Sequence, residues 1–199
     1  MKILFLTNNA ISEPLIAWLG QREVVIIHEG RLRADDVRAL QPELIVSYSY
    51  RHILNREVLD TRPGRFINLH ISLLPFNRGA DPNAWSYLEG TPPGVTIHQI
   101  DEGIDTGPVL LQQPVAIDET RETLGSSYVR LHQAIQALFV AHWPDLRAGR
   151  LVAQPQQAQG TFHRADDFAK ISEMLFGAEG WDVPITLLSQ RYQRLVRDA

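Results

Sequence analysis

The sequence predicts an α/β fold: a mostly parallel sheet with helices on its faces and a short helical extension at the C-terminal end. Three observations lead there. Short apolar, β-branched runs alternate with amphipathic stretches through the first half of the chain, which is the signature of parallel strands joined by crossover helices. The second half opens with two strand-like runs around a Gly- and Asp-rich turn. It continues with one long helical pattern, a Gln-rich connector and two further helical patterns.

Lys2–Leu6 reads as a buried strand. Ser12 stands where it can cap a helix over Glu13–Leu19, with Pro14 in the first turn, where a missing N–H costs nothing. Glu23–Ile27 is a second strand, Ala34–Leu40 a short helix, Glu43–Ser47 a third strand and Leu54–Leu59 a helical turn. Pro63-Gly64 breaks the chain before a fourth strand, Phe66–Leu69. Gly94–Ile100 and Val109–Ile117 are strands added, in an antiparallel sense, to the sheet. Thr123–Trp143 is the longest helix, with Leu124, Tyr128, Leu131, Ile135, Leu138 and Phe139 on one face, closed by Pro144 and Gly149. Residues 154–160 are polar and low in complexity, as in a surface loop. Helices near Arg164–Leu175 and Pro184–Val196 complete the chain. Leu188, Tyr192 and Leu195 share a face of the last helix; packing against its own domain is the simpler use of that face, and a homodimer contact the alternative. The expected division is a catalytic-size domain over residues 1–150 and a connector with helical extension over 151–199. No internal repeat is present.

Bulk properties narrow the function. Of 199 residues, 44% are hydrophobic and 21% charged, a globular balance able to bury a core. There are no cysteines, so disulfides, thiolate metal sites and a cysteine nucleophile are excluded. The opening apolar run is too short for a signal peptide, and no run approaches the ~20 residues needed to span a bilayer, so a cytoplasmic protein without a membrane partner is expected. The net charge of −4 argues against nucleic acid as partner and for a small-molecule substrate.

The first strand is followed by Thr7-Asn8-Asn9-Ala10-Ile11-Ser12, without the glycines of a dinucleotide-binding turn. Asn8 and Asn9 there either cap the helix or help hold an anion on free N–H groups. The densest cluster of unusual residues runs from Phe66 to Gly107. Asn68 and His70, two apart on a strand, point to one side at the C-terminal strand end, where open α/β sheets hold ligands. The loop Asp101-Glu102-Gly103-Ile104-Asp105-Thr106-Gly107 can return a carboxylate towards them. An amide donor, a protonated imidazole and a carboxylate suit acyl transfer to an amine. Asn68 and His70 would stabilise the oxyanion of a tetrahedral intermediate, while Asp105 would favour the imidazolium and relay the proton of the attacking ammonium. A metal reading through His70, His98 and Asp105 lacks compact ligand spacing, so no metal is expected. Ser72 is not in a nucleophile elbow.

At these residues the chain resembles the 10-formyltetrahydrofolate-dependent formyltransferases. The matching strings are Asn68-Leu69-His70-Ile71-Ser72-Leu73-Leu74-Pro75, Arg78-Gly79-Ala80, Gly94-Val95-Thr96-Ile97-His98 and Asp101–Gly107. The resemblance spans roughly Met1 to Trp143. It implies a Rossmann-like domain of the formyltransferase fold, 10-formyltetrahydrofolate as co-substrate, and Asn68, His70 and Asp105 as the catalytic residues. It also implies a pterin pocket between Arg51-His52-Ile53-Leu54 and Asp101-Glu102-Gly103-Ile104. His52 can equally cover a helix. Asn77, Arg78 and Asp81 lie in the loop that borders the acceptor site in the family, although loop polarity alone also explains them.

Ser47–Arg51 and Asn77–Trp85 resemble the sugar N-formyltransferase branch, and residues 154–199 leave little room for the C-terminal domain of methionyl-tRNA formyltransferases. A nucleotide-linked amino sugar is therefore the expected acceptor. The alternatives are glycinamide ribonucleotide, with its phosphate at Asn8 and Asn9, hydrolysis of formyltetrahydrofolate, and non-catalytic folate or nucleotide binding. Two departures from the family stand out: a compact crossover over Arg31–Leu40, and a spacing from Asn68 to Asp105 that is one residue short.

Overall fold

The computed structural model describes residues 1–157 and 159–198; residues 158 and 199, which the expected connector and extension include, lie outside them. Along the chain the elements are β1 (Lys2–Leu6), α1 (Glu13–Gly20), β2 (Val24–His28), α2 (Ala34–Leu40), β3 (Leu44–Tyr48), α3 (Arg56–Leu59) and β4 (Phe66–His70). They are followed by β5 (Arg78–Gly79), α4 (Pro82–Glu89), β6 (Gly94–Gln99), β7 (Val109–Pro114), α5 (Leu124–Ala141) and α6 (Trp143–Ala148). The chain ends with β8 (Phe162–His163), α7 (Ala165–Phe176) and α8 (Ile185–Arg197).

Six strands form a sheet in the order β2-β1-β3-β4-β6-β7, and β5 pairs with β8. The β1–β2, β1–β3 and β3–β4 pairs are parallel, so the fold is the mostly parallel α/β sheet that the alternation predicts. Backbone contacts divide the chain into two compact units. The first holds Met1–His70, Ile97–Leu111 and Gln136–Gln156; the second holds Ile71–Thr96, Gln112–Ile135 and Gln157 onward.

In the first unit, β1 and β3 are continuous apolar runs because both their faces are covered. Leu4, Leu6, Ile45 and Phe66 join Ala34 and Val37 of α2 and Val58 of α3 in one buried cluster. Ile3 and Phe5, which alternate with Leu4 and Leu6 and point the other way, are equally buried. In the second unit, Ala84, Trp85, Tyr87 and Leu88 of α4 pack with Phe168, Leu175, Val183, Ile185 and Leu188. The last two helices thus bury an apolar face against their own unit.

Several elements differ from expectation for local reasons. Ser12 precedes α1 but makes no capping bond with its side chain. Its hydroxyl is bound to the Asn9 carbonyl at 2.7 Å, and Asn9 itself caps a 3-10 turn over Ala10–Ser12. The helix expected to run to Trp143 ends at Ala141, and Pro144 opens α6 rather than closing α5. A proline ring clashes with the carbonyl four residues back and lacks a donor, so the first turn of a new helix is where it fits. Gly149 then ends α6 at φ 64°. Helix α4 lies in a stretch for which the sequence predicts no element. Its bounding Pro82 and Gly90 are start and stop signals only eight residues apart, too close for a helical period to show. Among the described residues, no helix is long and apolar enough to cross a membrane.

His132 of α5 is 3% exposed and lies in the second unit with the Tyr128 ring 4.2 Å away. Burial pushes its imidazole down to about 4. Between that value and its ordinary 6.5 the unfolded chain binds the extra proton, so folding stability is full above the upper limit and falls as the pH falls. The loss approaches about 3 kcal/mol near the lower limit. Between neutral pH and the lower limit, the urea midpoint of wild type is expected to fall further than that of His132→Leu, the variant being the less pH-sensitive protein. Parallel pH profiles would count against a buried neutral His132.

Candidate active site

Asn68 and His70 stand at the C-terminal end of β4, and the strand period places both towards Asp105, which comes from the loop after β6. The Asn68 amide Nδ2 donates to Asp105 Oδ1 at 3.1 Å. His70 Nδ1 is 3.6 Å from Asp105 Oδ2. The structure therefore brings together the three residues that the strand period and the Gly-rich loop select. The site is shielded: His70 is 6% exposed and the Asp105 side chain 12%, so charges here interact in a low dielectric.

A fourth side chain belongs to this network. His98, at the end of β6 and 1% exposed, has Nε2 3.3 Å from both Asn68 Nδ2 and Asp105 Oδ1. Its Nδ1 lies 2.8 Å from the Gln99 carbonyl, to which it donates. In the neutral ring that bond leaves Nε2 as an acceptor for the second N–H of Asn68. The amide of Asn68 is thus oriented with nitrogen towards Asp105 and His98. Sequence reasoning weighed His98 only as a metal ligand. Its polar signal is plain on a strand, but that β6 lies beside β4 is a fact of strand order. Among the described residues, no group of three or more His, Cys, Asp or Glu is placed to hold a metal ion.

The loop that presents Asp105 is fixed from within. Asp105 adopts φ 53°. Asp101 Oδ1 accepts from the Gly103 N–H at 3.1 Å and the Thr106 hydroxyl at 2.6 Å, and Gln99 N–H donates to the Pro108 carbonyl at 2.9 Å. Gly107 is required, because a Cβ there would fall 1.8 Å from the Gln99 carbonyl oxygen. A second glutamine was not anticipated. Gln156, in the connector expected to be a bare surface loop, donates from Nε2 to the Asp105 and Gly107 carbonyls at 2.8 Å each.

The residues expected around the pterin lie in the same unit. The Arg51 N–H donates to Asn8 Oδ1 at 3.0 Å, His52 has its ring 5.1 Å from Tyr50, and Leu54 is buried. Glu102 is an exposed partner of Arg56, at 3.5 Å. Ile53 and Ile104, one in each segment, expose 70% and 39% of their surface.

Residues expected at the acceptor are engaged in the protein itself. Asn8 follows β1 at the point where strand order reverses. Its N–H donates to the Ser49 carbonyl at 3.0 Å, Nδ2 donates to the Glu29 carbonyl at 2.8 Å and Oδ1 accepts from Arg51. The side chain ties together the ends of three neighbouring strands. Asn9 accepts from the Ile11 N–H at 3.0 Å, which is the capping role.

Asn77, Arg78 and Asp81 belong to the second unit. Asn77 is fully buried and donates to Ser86 and Thr91 at 2.9 and 2.7 Å. Arg78 pairs with Phe162 in the β5–β8 ladder. Asp81 precedes α4 with φ 52°, and burial pushes its carboxyl up. Next to Arg78, Gly79 at φ 89° leaves no space for a side chain, since a Cβ would lie 2.1 Å from the His163 carbonyl.

Comparison with known proteins identifies the family. Residues 30–142 match the formyl transferase family. Methionyl-tRNA formyltransferase from Halorhodospira halophila is 38% identical over 165 residues, covering 79% of this chain and 52% of the relative. The chain spans little more than half the length of such curated relatives. The crystal structure of the formyltransferase PseJ from Anoxybacillus kamchatkensis, in complex with UDP-4,6-dideoxy-4-formamido-L-AltNAc and tetrahydrofolate, superposes with a TM-score of 0.87 at 38% identity. That match covers 97% of this chain and all of the other. A sugar N-formyltransferase from Shewanella sp. FDAARGOS_354 shares the fold, with a TM-score of 0.77 at 24% identity over 96% of this chain and 87% of that one. The chain belongs to the formyl transferase family.

Proposed function

We propose that this protein transfers the formyl group of 10-formyltetrahydrofolate to the primary amine of a nucleotide-linked amino sugar. The observation that carries the reading is the end-to-end likeness to PseJ, a structure that holds a UDP-linked formamido sugar and tetrahydrofolate. The chemistry fits the site. The amine nitrogen attacks the formyl carbon, the carbonyl oxygen becomes an oxyanion, and the bond from that carbon to N10 of the folate breaks as the new C–N bond is retained. One proton leaves the attacking nitrogen and N10 gains one, leaving formamide and tetrahydrofolate. Asn68 and His70 would supply donors to the oxyanion, and Asp105 would take the proton of the attacking amine. Exposed Ile53 and Ile104 would flank the pterin.

A second reading has one specific observation in its favour. The curated relatives at 38% identity are methionyl-tRNA formyltransferases, which makes an aminoacyl-tRNA amine the competing acceptor. The net charge of −4 opposes it, because binding to a phosphate backbone relies on clustered cations. Purified protein is to be incubated with 10-formyltetrahydrofolate and, separately, UDP-linked 4-amino sugars, methionyl-tRNA or no acceptor, with products identified by mass. A sugar product 28 mass units heavier is expected (roughly one formyl in place of hydrogen, the balance of the acyl transfer). Formylated methionyl-tRNA would select the second reading, and equal formate release without any amine would make the protein a hydrolase.

A further inference from the structure

The segment that ends the first unit runs alongside the Asp105 loop. Val109 and Gln154 exchange both backbone hydrogen bonds, each at 2.8 Å, as an isolated antiparallel bridge. Continuing such a ladder two residues further would set residue 156 opposite residue 107. The backbone cannot follow, because the loop turns away at Asp105 with φ 53° and Gly107 is pressed against the Gln99 carbonyl. The Gln156 side chain substitutes for the missing rung. Its terminal amide has two N–H groups, and they meet the two carbonyls on either side of Thr106, those of Asp105 and Gly107, at 2.8 Å each.

Those carbonyls set the peptide planes that aim the Asp105 side chain. Its Oδ1 must stay 3.1 Å from the Asn68 amide and its Oδ2 3.6 Å from His70. Left-handed backbone at a non-glycine residue is a conformation that surrounding contacts have to hold. We propose that Gln156 is a positioning residue: it holds the Asp105 loop in its left-handed form and so places the carboxylate for proton transfer. The proposal rests on the formyl-transfer reading above for its catalytic consequence, but its structural half stands alone.

Two substitutions separate the donors from the volume. Gln156→Leu removes both N–H groups at nearly constant size, and Gln156→Glu sets acceptor oxygens against the two carbonyls. With the full chain, both are expected to lower kcat for formyl transfer by about tenfold or more, because small misplacement of a reacting group is costly. KM for 10-formyltetrahydrofolate is expected to stay within about twofold of wild type. The same Gln156→Leu change in an Asp105→Asn background is expected to alter the residual rate by less than about twofold, since a residue acting through Asp105 has nothing left to position.

A second readout is independent of catalysis. Amide exchange across residues 103–107 is expected to quicken in Gln156→Leu while β1 and β3 keep their protection. An unchanged kcat, an equal fall in both backgrounds, or unchanged exchange in the loop would each overturn the proposal. If wild type forms no formylated amine, the reading of the reaction fails instead. The exchange experiment then decides by itself whether Gln156 holds the loop.

Discussion

Asn68→Ala is expected to lower kcat for formyl transfer by roughly 10²–10³, the loss typical of removing one oxyanion donor. KM for the folate should change little, because the amide acts on charge that develops only as the amine attacks. The geometry makes the expectation sharper than a generic donor loss. Nδ2 of Asn68 lies 3.1 Å from Asp105 Oδ1 and 3.3 Å from His98 Nε2, so both its hydrogens have partners in the free protein. The longer contact, to the His98 ring, is the one that an oxyanion displaces more readily. Alanine removes the donor and also releases Asp105 and His98 from it. Asn68→Asp keeps the size but places a second carboxylate beside Asp105, and a loss at least as large is expected. Single-turnover assays with products identified by mass, beside circular dichroism to verify folding, measure both variants. A well-folded Asn68→Ala enzyme within fivefold of wild type would remove this amide from the oxyanion role.

The convergence of Asn68, His70 and Asp105 was legible because each part depends on a local rule. Two residues apart on a strand means one side of a sheet, and Gly103 and Gly107 on either side of Asp105 mean a tight loop that can fold back. His98 obeys the same strand rule, yet nothing local reveals that β6 is the neighbour of β4. Gln156 was hidden for the opposite reason. In a glutamine-rich connector its composition signals solvent, and only the three-dimensional path shows its amide completing a ladder. Asn8, Asn9 and Asn77 illustrate a further limit. Polar loop residues read as ligands from sequence, and the structure adds that their side chains satisfy backbone groups and buried hydroxyls of the protein. The boundaries of Ala34–Leu40 were legible from its amphipathic run between two apolar strands. Helix boundaries were not legible where proline serves as a start rather than a stop.

Asp105→Asn is expected to be the more damaging change, with kcat falling about 10²–10⁴, the range of a lost general acid–base group. The side chain keeps its shape, so the effect isolates its chemistry. A carboxylate accepts through both oxygens, which suits the two different donors around it. Oδ1 receives the Asn68 N–H, and Oδ2 faces His70 Nδ1 at 3.6 Å. An asparagine must choose. With its oxygen towards Asn68, its amide N–H meets His70 Nδ1 and selects the tautomer whose Nδ1 carries a lone pair, leaving no carboxylate to hold an imidazolium. Flipped the other way, two amide groups face each other donor to donor, and the bond that orients Asn68 is lost. Either arrangement damages the oxyanion donors as well as the proton acceptor, so the Asp105→Asn and Asn68→Ala effects should be strongly non-additive. The double variant is therefore expected to retain a rate close to that of Asp105→Asn alone. Losses that simply multiply would mean that the two side chains act independently, and the hydrogen bond between them would then have no part in the reaction.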